Sequence, residues 1–91
     1  MMNFKILQSE MRKDEDRAYV GKTIFQVDSH KANYEITFFS KNSRDWDYSL
    51  HYAKESGVEE ELLAVDERIE QDDEWFDGLL DAAWNTYSVE E

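Results

Sequence analysis

The amino-acid sequence predicts an α+β domain in which a four-stranded antiparallel β-meander precedes one long, acidic C-terminal helix. Three observations lead there. Residues 1–54 contain four runs in which apolar and polar side chains alternate, the pattern of half-buried strands. Connections of four to six residues join these runs, too short for the crossover that a parallel pair requires. From residue 55 onward the apolar spacing lengthens to three and four residues, the helical period.

The first strand is expected over residues 3–11, where Phe4 and Ile6 flank Lys5, although Phe4, Leu7 and Met11 also fit a helical face. The charged stretch at 12–17 then connects to a second strand at 18–28, rich in the β-branched and aromatic residues Tyr19, Val20, Thr23, Ile24, Phe25 and Val27. Gly21 inside it marks a bulge or a bend. The third strand, 34–40, sets Tyr34, Ile36 and Phe38 against Glu35, Thr37 and Phe39. The fourth, 45–53, places Trp46, Tyr48, Leu50 and Tyr52 on one face. Proline is absent and glycine occurs three times, so Asn, Asp, Ser and Lys must make the turns.

The helix is expected over residues 55–88, before an acidic tail at 89–91. Ser56 with Glu59 reads as a capping box. Val58, Leu62, Val65, Ile69, Phe76, Leu80, Ala83 and Tyr87 fall within about 60° of arc on a helical projection. This stripe is expected to rest on the Trp46 face of the sheet. Asp72 and Asp73 interrupt it where apolar residues belong. A single helix keeps the apolar phase across the gap; two helices, the second capped by an Asp, are the alternative.

Charge divides along the same line. Residues 55–91 hold fourteen acids against one base, Arg68, a local charge of −13, whereas residues 1–54 carry +1. Such asymmetry concerns partners more than fold. Glu59, Glu60, Glu67, Glu70, Glu74, Asp77 and Asp81 project within about 100° of arc on the side opposite the stripe. Together with Trp75 they are the candidate partner-binding residues. Trp75 admits two placements: an exposed aromatic anchor rimmed by acids, or an inward position beside Leu79 if the helix kinks at Asp72–Asp73.

Other chemistries find little support. The chain has no cysteine, which removes disulfides and thiolate metal sites. The glycines at 21, 57 and 78 are isolated, so no phosphate loop forms. The acids at 72, 73, 74 and 77 lack the spacing of a calcium loop. His30 and His51 read as ordinary surface histidines, and no cofactor is expected. The strong negative charge opposes direct binding to nucleic acid or an anionic membrane. With no signal-like or membrane-spanning run, a single cytoplasmic domain over residues 1–91 is expected. The leading expectation is a small non-enzymatic interaction module that binds a basic protein surface. One form of it is a nucleic-acid mimic that fills a DNA- or RNA-binding cleft. A homo-oligomer joined through the second sheet face, at Val20, Ile24 and Phe39, is the alternative. A carboxylate-based enzyme using Asp72 and Asp73 ranks third.

Overall fold

The computed structural model describes residues 3–42 and 44–87. β1 (Phe4–Lys13), β2 (Tyr19–Val27), β3 (Asn33–Ser40) and β4 (Asp47–Tyr52) form one antiparallel sheet in the order β1-β2-β3-β4. The expected meander is therefore present, with β1 running past Met11 to Lys13. The competing helical face of Phe4, Leu7 and Met11 has a local cause. A bulge lies between Ile6 and Gln8, where Ile6 pairs with Phe25 and Gln8 with Ile24. The extra residue, Leu7, shifts the alternation, so that Phe4 and Ile6 before it and Ser9 and Met11 after it all face inward.

Side chains make the turns, as the scarcity of glycine requires. Asp14 Oδ1 accepts from the N–H groups of Asp16 and Ala18. Asn42 Oδ1 accepts from those of Arg44 and Asp45. Arg17 and Ser29 take positive φ angles of 65° and 69°, the left-handed conformation that glycine would otherwise supply.

The expected single helix is two. α1 (Glu59–Gln71) and α2 (Asp73–Trp84) meet at Asp72, whose backbone is extended at φ −119° and ψ 102°. Asp72 holds the break with both carboxylate oxygens. Oδ1 accepts from the Glu74 N–H at 3.0 Å, capping α2, and Oδ2 pairs with Arg68 Nη2 at 3.1 Å. The cap won over the continuous apolar phase because it satisfies a helix-end donor and holds a short polar side chain at a partly exposed site. The start of α1 also differs from expectation. Its N-cap is Val58 without a side-chain bond, so Ser56 closes no capping box. Ser88 and the tail at 89–91 lie outside the described residues.

The break re-aims the second helix. α1 buries Val65 and Ile69, and α2 buries Trp75, Leu79 and Ala83. On a common helical projection the buried arc of α2 is rotated about 60° from that of α1. Both helices cover one face of the sheet, where Phe25, Val27, Tyr34, Ile36 and Phe38 form the core with them. Two buried or half-buried hydroxyls tie α2 down. Thr23 Oγ1 donates to Leu79 O at 2.8 Å, and Ser9 Oγ donates to Ala82 O at 2.9 Å. Neither helix covers the other sheet face.

Candidate functional site

The acids that sequence reasoning assigned to one ridge occupy two helices. Glu59, Glu60, Glu67 and Glu70 are exposed on α1; Glu74, Asp77 and Asp81 are exposed on α2. Glu59, Glu60 and Glu74 lie in first turns, where the positive end of the helix dipole favours them. Glu67, Glu70, Asp77 and Asp81 have no such compensation. None of the seven pairs with a cation among the described residues, where the two ion pairs are Lys22–Glu10 and Arg68–Asp72.

Trp75 does not belong to that surface. It is 5% exposed, packed edge-on against Phe4 with ring centroids 4.9 Å apart, and covered by the Arg68 guanidinium at 5.5 Å. Of the two placements that the sequence admits for Trp75, the inward one beside Leu79 holds, because the break at Asp72 turns the indole into the core; Trp75 is therefore removed from the candidate partner-binding residues.

The most exposed large apolar residue on the acidic helices, among the described residues, is instead Leu63, at 59% relative exposure. Sequence reasoning passed over it. Its signal was available, because Leu63 projects about 130° from the centre of the apolar stripe, inside the acidic arc. Glu59, Glu60 and Glu67 stand at i−4, i−3 and i+4 from it, within reach of its side chain. A lone exposed leucine is unremarkable. One ringed by unpaired carboxylates resembles the apolar centre and charged rim of a binding surface.

One flank of α1 can be oriented by its contact with the sheet. The Tyr48 hydroxyl of β4 donates to Asp66 Oδ1 at 3.0 Å. Burial raises the Tyr48 pKa strongly, and the hydrogen bond and charge of Asp66 and the nearby Glu70 add to it. The side of α1 toward β4 therefore carries Asp66 and Glu70. Glu59, Leu63, Asp66 and Glu70 follow at i, i+4, i+7 and i+11, one row within about 60° of arc. Acid, leucine, acid, acid: this row lines the β4 side of the molecule.

Elsewhere the described residues offer less. A concavity of about 410 Å³ is lined by Leu7, Ile24, Lys31, Lys54 and Glu55 among others, and by none of the seven acids. On the sheet face that neither helix covers, Val20 and Ile24 are half-buried and Phe39 is exposed. His30 Nδ1 lies 2.8 Å from the buried Tyr34 hydroxyl, a contact that orders the β2–β3 turn. Asp72 serves as a cap and as the partner of Arg68, and Asp73 is exposed. No group of three or more His, Cys, Asp or Glu side chains among the described residues is arranged to hold a metal ion. No helix among them is long and apolar enough to cross a membrane. No family model, curated protein or solved structure matches the chain, so its reading rests on this geometry.

Proposed function

We propose that this chain is a non-enzymatic interaction module that engages a basic protein surface through the acidic flank of α1. The observation that carries the reading is Leu63, exposed amid carboxylates that have no cation of their own. Leaving like charges three and four residues apart unrelieved costs a helix a few tenths of a kcal/mol per pair. A cationic partner removes that cost and gains the burial of Leu63.

The test is a titration of the chain against a lysine-rich peptide or basic protein over a range of salt. Affinity should fall steeply with added salt, since exposed charges are screened beyond about 8–10 Å at physiological ionic strength. Replacing Glu59 and Glu70 by Gln should flatten that dependence. Binding that ignores both salt and the double substitution would remove α1 from the account.

A further inference from the structure

We propose that the outer edge of β4 receives an extended basic segment of the partner as a fifth strand, lying under the acidic flank of α1. This rests on the interaction reading above and adds the mode of contact. The sheet order leaves β4 at an edge. Its hydrogen-bonding phase follows from one bond: Ala53 N donates to Asn33 O at 3.0 Å. The pairs Glu35–His51, Thr37–Ser49 and Phe39–Asp47 therefore exchange the bonds with β3, since such pairs alternate along an antiparallel ladder. The N–H and C=O groups of Tyr48, Leu50 and Tyr52 point the other way. No backbone group among the described residues bonds them from outside.

The two edges of the sheet are not treated alike. β1 carries the bulge at Leu7 and the charges of Lys5, Arg12 and Lys13, the usual devices against edge pairing. β4 has an unbroken register and no lysine, bulge or proline. The inward side chains of β4 are also incompletely covered. Tyr48, Leu50 and Tyr52 are half-buried, whereas Tyr34, Ile36 and Phe38 on the neighbouring strand are fully buried. A fifth strand would extend the covered layer over them.

Charge then selects the occupant. Alternate side chains of an added strand would face the helix layer beside Glu59, Leu63, Asp66 and Glu70. Lysine and arginine suit that position, with aliphatic stems along Leu50 and Tyr52 and charged ends at the carboxylates. A second copy suits it poorly. Two-fold pairing of β4 edges would bring two such flanks together in a chain of net charge −12.

The experiment titrates isotope-labelled full chain with a lysine-threonine alternating peptide of about ten residues. Two isomers of it are also tested, N-methylated on one or the other alternate set of amides. One isomer should lose affinity by about tenfold or more while the other retains it, because only one set faces β4. The amides of Tyr48, Leu50 and Tyr52 should slow in hydrogen exchange on binding. Leu50→Pro, which deletes an outward N–H, should bind more weakly than Leu50→Ala, which keeps it. Equal binding of both isomers with retained salt dependence would overturn the added strand and leave the acidic flank standing. Failure of every basic peptide at low salt would overturn both. The same three amides protected in concentrated chain alone, with a doubled mass, would assign the edge to a second copy and overturn the proposal.

Discussion

Replacing Asp72 by Ala should separate what holds the two helices apart from what merely decorates them. The structure gives Asp72 two employments, one per oxygen: the Glu74 N–H on Oδ1 and Arg68 on Oδ2. Loss of an N-cap costs about 1 kcal/mol. The ion pair is partly exposed, with side-chain exposures of 41% and 29%, so it adds only ~0.3–0.5 kcal/mol. Arg68, released from Asp72, also loses part of its hold over the Trp75 ring, worth ~0.5 kcal/mol. Together these give about 2 kcal/mol. At roughly 4–8 °C per kcal/mol for a domain of this size, Tm should fall by about 8–15 °C.

The comparison that decides the mechanism is Asp72→Asn. Asparagine caps a helix as well as aspartate does but carries no charge. It should therefore lose only the electrostatic part, about 0.5 kcal/mol and a few degrees. Thermal unfolding followed by circular dichroism, with a urea titration for ΔG, measures both variants. An alanine variant as stable as the parent, or an asparagine variant as damaged as alanine, would refute the assignment of the cap.

Other consequences can be measured on the same footing. Tyr34 is fully buried, and burial foremost, then the charges of Glu61 and Tyr52, push its pKa up to about 12 from the ordinary tyrosine value of 10.0. The folded state thus keeps a proton that the unfolded chain releases, so stability holds below pH 10 and falls as pH rises from 10 toward 12. The loss is about 2–3 kcal/mol; a urea midpoint unchanged across that window would contradict it. Trp75→Ala should cost about 3–5 kcal/mol in unfolding free energy, whereas Leu63→Ala should cost under about 0.5 kcal/mol yet weaken binding to a basic partner. The reverse pattern would return Trp75 to the surface. Gly57→Ala places a Cβ 2.5 Å from Ala32 Cβ and 3.3 Å from Tyr52 Cε1, an overpacking of about 1–3 kcal/mol that a denaturation curve equal to the parent's would rule out. Hydrogen exchange should be faster through α1 than through α2, and equal protection would argue against a stability concentrated in α2.

The sheet was legible because each strand is solved locally. Tyr34, Ile36 and Phe38 alternate with residues that meet water, and no distant contact is needed to read that. β1 was less clear because a single inserted residue, Leu7, imitates helical spacing while leaving the strand intact. The helix break was half legible. Asp72 advertises a cap, but the regular recurrence of Leu62, Ile69, Phe76 and Ala83 argues for continuity, and sequence spacing alone does not rank a cap against a stripe. The outcome turned on tertiary contacts: Phe4 offers an edge for Trp75, and Thr23 and Ser9 offer hydroxyls to α2 carbonyls. A helix in the original phase would point Trp75 away from Phe4. The place given to Trp75 among the partner-binding candidates and the neglect of Leu63 share one origin. Aromatic size drew attention to the tryptophan, whereas position relative to the acidic arc singled out the leucine.

The break also explains how so acidic a segment can fold on a sheet that is nearly neutral. α2 buries three side chains, receives two hydroxyl bonds from the sheet and begins under a side-chain cap. α1 buries Val65 and Ile69, has no side-chain cap, and is bound to the sheet through the Tyr48–Asp66 contact. Stability is therefore concentrated in the second helix, while the unrelieved row with the exposed leucine lies on the first. A continuous helix would have forced one rod to serve both ends, with every like-charge contact on α1 opposing the packing of Trp75 and Leu79. Ending the helical hydrogen bonding at Asp72 uncouples them. α1 can carry a charge arrangement that costs it stability on its own, because its loosening need not propagate into the core. A partner that neutralises the flank would then stabilise the weaker helix most, coupling binding to local order. That coupling is the physical reason to look for function on α1 rather than on the better-packed α2.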